Sequence, residues 1–286
     1  IRKYWHKVTS PKFIQYNFLY AFFSNNNIIS HLFFFRKKEF LYAQIFQLNL
    51  AKTLNYSNKH SLINYLFSFL HIRILYLSNC YITNFPFFSF TQKHDISDFI
   101  NNINLKWLAV VVPDFLMCHL TNKKKYLFFK LEVEENMVLT LQENWDSLES
   151  YLNGVKAKYK KKINTILSNS KVVNVRLLSP DDLQLLNFEL QVLFNKITRD
   201  SKFHGPHFNI STYLTLVEKK YAKLYGYFLN DQLIAFSSEL IDDRDLYSHY
   251  VGFDPSLNNQ YSIYGRILIE TINNAIEHRC QRIIFG

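Results

Sequence analysis

Glycine is scarce in this chain and unevenly placed. The 286 residues include six glycines, and all of them lie at position 154 or later. The first half therefore has none of the glycine-rich turns that hold phosphate in P-loop and Rossmann proteins, and the second half has neither spacing. Two large classes of nucleotide-binding enzyme are excluded.

Cysteine is also rare. Cys80, Cys118 and Cys280 are odd in number and far apart, which fits neither a disulfide framework nor a paired-cysteine zinc site. We therefore predict a reducing compartment, the cytoplasm, and no metal site. His204 and His207 are two possible metal ligands without a third nearby, so we expect a loop there rather than a zinc site.

No run of residues is apolar enough to cross a membrane. The longest segment without a charge, 13–35, contains several polar residues, among them Gln15 and His31, which a lipid-facing helix would not tolerate. The chain has no start methionine and stops directly after the apolar run 282–285. We expect both ends to be truncated, so the absence of a targeting segment carries no information.

Aromatic and apolar residues are abundant. Hydrophobic residues make up 48% of the chain and charged residues 20%, with 27 Phe, 19 Tyr and 3 Trp, which predicts a packed protein of two domains or one large one. The net charge of +10 is concentrated in residues 1–143, which carry 16 basic and 8 acidic residues, against 17 and 15 in 144–286. Such a field favours anionic partners such as nucleotides, nucleic acid or phosphorylated substrates.

Hydrophobic periodicity predicts alternating strands and helices in the first half. The predicted elements are a hairpin of 31–37 and 40–48, a helix over 58–70, buried strands over 72–77 and 107–112, and a helix over 95–103 between these strands. The segment 79–92 has no clear period, and we interpret it as a loop that packs on the core.

The second half has stronger patterns. The predicted elements are a strand over 137–141, a helix over 146–167 with a buried stripe, a strand over 172–178, a helix capped by Ser179 and running through Asn195, a helix from Ser211 to 219, a three-strand antiparallel meander over 224–229, 232–240 and 246–253, a helix over 262–278 that buries Tyr264, and a strand over 282–285. Along 246–253, Tyr247, His249, Val251 and Phe253 are expected to share one face. The predicted fold class is α/β (α+β), with mixed, mostly antiparallel sheets flanked by helices.

This order of elements resembles the GNAT (acyl-CoA N-acyltransferase) fold. The segments 145–152, 156–162, 247–255, 264–270 and 283–286 are similar to a branch of bacterial GNAT-type proteins related to the Fem transferases, which add amino acids to peptidoglycan precursors. The resemblance implies a tandem fold, with a GNAT-like half over 1–136 and a second over 137–286. The family continues past the last strand with another helix and two strands, so the resemblance also implies an incomplete second half.

The resemblance places the acyl donor at the start of the last helix. Members that use acetyl-CoA carry a Gln/Arg-x-x-Gly-x-Gly/Ala turn there, and this chain keeps Gln260 and Gly265 but lacks the other glycine. A helix start offers N–H groups to a donor phosphate, and Arg266 adds a guanidinium, so Gln260, Ser262, Gly265 and Arg266 are the candidate donor-binding residues. Alternatively, Gly265 serves helix packing and Arg266 lies on the surface. The donor would be an acyl-CoA or an aminoacyl-tRNA, an anionic substrate rather than a tightly bound cofactor.

Acyl transfer to an amine also needs a group that takes up the proton of the nucleophile. His249 is the first candidate, because imidazole titrates near neutral pH, and Glu239 on the preceding strand is the second. Tyr264 is a candidate donor to the leaving group. Purely structural roles for His249 and Glu239, and core packing for Tyr264, stay open.

The basic run over 156–162 has two interpretations. Its five lysines spread around the polar arc of a helix and form no single stripe, which favours a solvated face over a nucleic-acid surface, although contact with an anionic substrate stays open. The sequence shows no motif for sequence-specific nucleic-acid binding.

Three functional hypotheses follow. The first is an acyltransferase of the GNAT superfamily that moves an acyl or aminoacyl group onto an amine, in cell-envelope or small-molecule metabolism. The alternative is a non-catalytic binding module that retains a decayed GNAT-like fold. The third is nucleic-acid binding through the basic first half.

Overall fold

The computed structural model describes residues 12–36, 39–49, 71–82, 85–89, 96–102, 108–120, 130, 136–199 and 206–285. These residues form two compact units. The first unit comprises the described residues within 22–135 and 206–208, and the second comprises those within 12–21, 136–199 and 209–285. The helix predicted over 58–70 and the residue His204 lie outside the described part of the chain.

The first unit is built around an antiparallel hairpin. Helix α1 (Tyr16–Asn25) has residues in both units. The elements that follow in the first unit are β1 (Ile28–Arg36), β2 (Glu39–Asn49), β3 (His71–Tyr76), β4 (Phe88–Ser89), α2 (Ile96–Asn102), β5 (Leu108–Val111) and a 3₁₀ turn (Asp114–His119). Arg36 lies opposite Glu39, so the predicted hairpin is confirmed. Strand β4 pairs with β2, so the segment predicted as a loop contains a two-residue strand.

The described strands of the first unit are ordered β1-β2-β3-β5. Strands β1, β2 and β3 are antiparallel neighbours, and β5 is parallel to β3 after the crossover through α2. Alternate apolar residues along β2 and β3 point to one face of the sheet and pack against α2 and the 3₁₀ turn. The buried core of this unit consists of Leu41, Ala43, Ile45, Leu75, Leu77, Ile96, Phe99, Leu116 and Leu120.

The second unit repeats this plan on a larger sheet. Its elements are β6 (Met137–Thr140), α3 (Leu148–Gly154), α4 (Ala157–Asn169), β7 (Asn174–Leu177), α5 (Pro180–Leu185), α6 (Asn187–Thr198), α7 (Thr212–Glu218), β8 (Ala222–Leu229), β9 (Gln232–Asp242), β10 (Asp245–Phe253), α8 (Pro255–Tyr261), α9 (Ile263–Glu277) and β11 (Arg282–Phe285). The described strands are ordered β6-β11-β10-β9-β8-β7. Strands β8, β9 and β10 form the predicted antiparallel meander, and β11 is parallel to β10.

Helices cover both faces of this second sheet. Helix α9 packs one face, where Ile272 and Ala275 contact Leu246 and Ile283. Helices α6 and α7 cover the other face; the ring of Phe194 lies 5.2 Å from that of Tyr250. No helix in the described ranges has the length and hydropathy needed to cross a membrane.

The single helix predicted over 146–167 is wrong. Helix α3 ends at Gly154, and α4 begins at Ala157 after Val155 and Lys156, which have extended ψ angles of 155° and 144°. A Cβ on residue 154 would lie 2.6 Å from the indole nitrogen of Trp145, so a larger residue here would displace the indole. The predicted stripe is thereby split, and Tyr159 is 55% exposed.

The helix predicted to run from Ser179 through Asn195 is also two helices. The cap at Ser179 is confirmed, since its Oγ accepts a hydrogen bond from the Asp182 N–H. The helix is interrupted at Leu186, where φ is −95° and ψ is 11°, and α6 continues to Thr198. The predicted cap at Ser211 is wrong, because its hydroxyl donates to Asn187 Oδ1 instead.

The last helix is shorter than predicted and is preceded by one that the periodicity missed. Asp254 caps α8, accepting a hydrogen bond from Ser256 N, and Ser262 separates α8 from α9 with φ 52° and ψ 42°. Ile263 is buried, whereas Tyr264 is 44% exposed, so the predicted burial of Tyr264 is wrong.

Candidate acyl-transfer site

Strand β10 leaves regular pairing at His249. Strand β11 pairs with β10 over residues 245–248. The register between β10 and β9 shifts between Ser248 and Val251, which is a β-bulge. His249 and Tyr250 therefore lie in the bulge, where their backbone groups leave the regular β9–β10 pairing.

The bulge changes which residues share a face, so the predicted alternation along β10 is wrong. Tyr247 packs its ring against Phe13 on one face. Val251 and Phe253 instead pack on the opposite face, against the cluster that contains Ile263 of α9. One extra residue inverts every later side chain of a strand, and the sequence pattern carries no mark of this insertion.

His249 belongs to a compact polar network with Tyr213 of α7 and Ser238 of β9. The Tyr213 hydroxyl lies 2.7 Å from His249 Nδ1 and 2.5 Å from Ser238 Oγ. Ser238 Oγ accepts a hydrogen bond from the Tyr250 N–H at 2.8 Å and donates one to the Tyr250 carbonyl at 2.9 Å. Ser238 thus satisfies backbone groups that the bulge removes from the ladder.

This network is protected from water on its inner side. Tyr213 and Ser238 are fully buried, whereas His249 is partly exposed. Burial raises the pKa of Tyr213 well above its ordinary value, so this phenol keeps its proton at neutral pH. His249 is therefore a histidine with one ring nitrogen anchored to a neutral buried phenol.

The start of α9 is already engaged by side chains. The Tyr264 N–H donates to Asn258 Oδ1 at 2.9 Å, and Asn169 Nδ2 of α4 donates to Ser262 Oγ at 3.1 Å. Gln260 lies in α8 and is exposed. Part of the N–H surface at this helix start is thus used internally.

Gly265 allows α9 to approach α4 closely. A Cβ at this position would lie 2.8 Å from Ile166 Cδ1 and 3.2 Å from its Cγ2. Arg266 is turned along the helix: its Nε lies 2.6 Å from Glu270 Oε1, and its Nη1 lies 3.4 Å from Ser170 Oγ. A donor phosphate at this helix start would have to compete with Glu270 for the guanidinium.

Tyr264 and Glu239 lie in different surroundings. The exposed Tyr264 ring stacks on Phe253 at 5.8 Å. Glu239 is 1% exposed and faces α9, where its Oε1 accepts a hydrogen bond from Asn274 Nδ2 at 2.9 Å and its Oε2 has no partner. Its neighbour Ser238 points to the His249 side, so the structure does not bring Glu239 and His249 together.

The basic run lies on α4 and the residues just before it. No residue of α4 is buried, and Lys160 donates to Asn153 Oδ1 at 2.7 Å. In the described ranges, no group of three histidine, cysteine, aspartate or glutamate side chains is placed to hold a metal ion.

Sequence reasoning identified His249 but missed its partners. Tyr213 lies 36 residues away on a helix and Ser238 lies 11 residues away on the adjacent strand, and neither has a local motif. Only the pairing of β9 with β10, together with the placement of α7, brings them to the ring.

Comparison with known proteins identifies a matching family model and similar folds. Residues 156–286 match the family model described as an acetyltransferase (GNAT) domain. The structure of FemX is similar, with a TM-score of 0.51 and 10% identity, over 96% of this chain and 83% of that chain. A conserved protein of unknown function from Bacteroides thetaiotaomicron VPI-5482 gives a TM-score of 0.52 and 10% identity, over 95% and 80% of the two chains. No curated protein matches the sequence.

The identities to these structures are low, so they establish the fold, whereas the family model covers the segment that contains the candidate site. The resemblance stated from the sequence is thereby confirmed. Residues 156–286 therefore match a GNAT acetyltransferase domain, and the chain as a whole shares its fold with FemX.

Proposed function

We propose that this protein is an acyltransferase that moves an acyl or aminoacyl group from an activated donor to an amine. The observation that carries the proposal is the position of His249 in the bulge of β10, where its ring is partly exposed and its Nδ1 lies 2.7 Å from the Tyr213 hydroxyl. A base in this bulge can take the proton of an amine that binds beside β10 on the face of His249.

The proposed reaction needs little covalent participation from the protein. The amine nitrogen attacks the carbonyl carbon of the donor, a C–N bond forms, and the bond from this carbon to the leaving sulfur or oxygen breaks. His249 takes the proton that the amine loses and later releases it to solvent. Tyr264, exposed beside Phe253, is a candidate to donate its own proton to the leaving thiolate or alkoxide and to regain one from solvent.

The proposed donor is an acyl-CoA or an aminoacyl-tRNA, with its phosphate at the start of α9. Gln260, Ser262, Gly265 and Arg266 form this end of the site, and binding would exchange the contact of Arg266 with Glu270 for one with phosphate. The acceptor that we propose is an amine of a peptidoglycan precursor, reached in the cytoplasm. The exposed lysines of α4 give the same side of the unit a positive field.

The test is His249→Ala, assayed with labelled acetyl-CoA and charged tRNA as donors and amine-bearing peptidoglycan precursors as acceptors. We expect turnover to fall by roughly 10²-fold to 10⁴-fold, the usual contribution of a general base. His71→Ala is the matched control, because His71 is an exposed histidine of the first unit and should leave turnover unchanged. Equal turnover of the His249 variant and the wild type would remove His249 from the mechanism.

One observation favours the alternative of a non-catalytic binding module. Asn258 and Glu270 occupy the groups that a donor phosphate would use. A transferase should gain thermal stability with acyl-CoA or charged tRNA, because a ligand that binds only the native state stabilises it by mass action. If no donor raises the melting temperature, the binding module is the better assignment.

A further inference from the structure

Three contacts link His249 Nδ1, the Tyr213 hydroxyl, Ser238 Oγ and the Tyr250 carbonyl, and one arrangement of protons places a proton in each of these three contacts. A carbonyl oxygen only accepts, so the 2.9 Å contact between Ser238 Oγ and the Tyr250 carbonyl places the serine proton on that contact. The 2.5 Å contact between Ser238 Oγ and the Tyr213 hydroxyl must then contain the phenol proton. The 2.7 Å contact between Tyr213 and His249 consequently needs a proton on Nδ1.

The reverse arrangement satisfies fewer of these contacts. If Tyr213 donated to His249 Nδ1, Ser238 would have to donate to Tyr213, and its oxygen would face the Tyr250 carbonyl as a second acceptor at 2.9 Å. Two oxygen acceptors without a proton between them repel each other, and the cost is greatest where water is absent. The buried position of Ser238 makes this arrangement unfavourable.

We infer that Tyr213 and Ser238 are positioning residues that hold His249 in the tautomer protonated at Nδ1, so that the basic lone pair lies on Nε2. The inference deepens the proposed function, because Nε2 is then the atom that takes the amine proton. The hydrogen bonds run from His249 through Tyr213 to Ser238 and end at the Tyr250 carbonyl. Because a carbonyl can only accept, the backbone fixes the direction of all of them.

The sheet supplies a matched control for this arrangement. Tyr227 is another fully buried tyrosine, and its hydroxyl lies 3.2 Å from the Oγ of Ser237, the residue directly before Ser238. This second pair lies on the opposite face of the sheet, with the cluster that packs on α9. Removal of a hydroxyl group from Tyr227 or Ser237 should perturb the buried core as much as the same change at Tyr213 or Ser238, without altering the hydrogen bonds of His249.

The tautomer is measured by NMR on protein labelled with ¹⁵N-histidine, with the His249 signals assigned by their loss in His249→Gln. We expect Nδ1 to carry the proton in the wild type. In Tyr213→Phe the anchor is lost, and in Ser238→Ala the phenol proton becomes available to Nδ1, so both variants should move the proton to Nε2. Tyr227→Phe and Ser237→Ala should leave the spectrum of His249 unchanged. Where one of the two test variants fails to fold, the other decides.

Two outcomes would overturn the inference: a wild-type His249 protonated at Nε2, or a tautomer unchanged in both test variants. This readout needs no turnover, so it separates the inference from the proposed function. Where turnover is measurable, Tyr213→Phe should lower kcat by about 10-fold or more with KM unchanged, since a wrong tautomer impairs proton transfer but not binding. If His249 has the expected tautomer but His249→Ala keeps full activity, the proposed role of His249 in catalysis is wrong, whereas the inferred tautomer is confirmed.

Discussion

Glu239 should make this protein less stable as the pH rises toward neutrality. Its carboxyl is 1% exposed, and only one of its oxygens has a hydrogen-bond donor, Asn274 Nδ2. Burial raises the pKa of Glu239 from 4.5 to about 7, a rise that the nearby Lys223 and the Asn274 hydrogen bond only partly offset. The carboxylates of Glu270 and Glu277 act in the same direction as burial.

The folded state binds the Glu239 proton more tightly than the unfolded chain does, and this difference sets the pH dependence of the free energy of unfolding. The folded protein holds the Glu239 proton up to about pH 7, whereas the unfolded chain releases it near pH 4.5. The stabilisation is therefore complete below about pH 4.5, is lost as the pH rises toward 7, and stays lost above it. At about 1.36 kcal/mol per pH unit, the total loss is about 3 kcal/mol.

The assay compares the wild type with Glu239→Gln by urea unfolding at several pH values between 5 and 8. Glutamine keeps the shape of the side chain and does not titrate, so the difference between the two proteins cancels the groups that both share. We expect the variant to gain about 2 to 3 kcal/mol relative to the wild type between pH 5 and pH 7. A difference that stays constant with pH, or one of the opposite sign, would refute the reasoning.

Two glycine substitutions test the packing around the site. Gly265→Ala should destabilise the protein by about 1 to 3 kcal/mol because its new methyl meets the Ile166 side chain, and Gly265→Ala with Ile166→Ala should recover part of this loss in thermal unfolding. A double variant no better than the single one would contradict the clash. Gly252→Ala should cost more, because its Cβ would lie 2.8 Å from the backbone nitrogen of Phe194, which cannot move as a side chain can. Equal costs for the two single substitutions would argue against this ranking.

Much of the fold was predictable from the sequence because local patterns specify it. The strands of the meander and the 3.6-residue period around Ile267 and Ile272 reflect one buried face for each element, and burial is what periodicity reports. The errors fall where the backbone departs from a regular element. The breaks at Val155 and Leu186 interrupt helices whose apolar pattern continues across them, so the pattern could not show them.

The candidate site was predictable in part, for a related reason. His249 could be chosen for its chemistry alone, since imidazole is a common proton acceptor at neutral pH. Its orientation depends on a bulge that hydrophobic alternation cannot reveal and on Tyr213, which reaches it only through the tertiary packing of α7. Glu239 was chosen by the same chemical reasoning, but its adjacency to Ser238 in the sequence places it on the opposite face of the strand.

Each unit has three consecutive antiparallel strands, β1-β2-β3 in the first and β8-β9-β10 in the second. In both, the middle strand carries a buried polar side chain next to the point where the third strand leaves regular pairing. In the second unit Ser238 holds the backbone of Tyr250. In the first unit Gln44 of β2 accepts a hydrogen bond from the Cys80 N–H at 2.8 Å, beyond the end of β3, and donates to Tyr42. A strand that leaves its neighbours exposes backbone groups, and burial of those groups requires such a partner. This shared solution supports the proposal that residues 1–136 form a first GNAT-like half. In the second unit the supporting side chain is linked through Tyr213 to an imidazole, so we assign the chemistry to that unit.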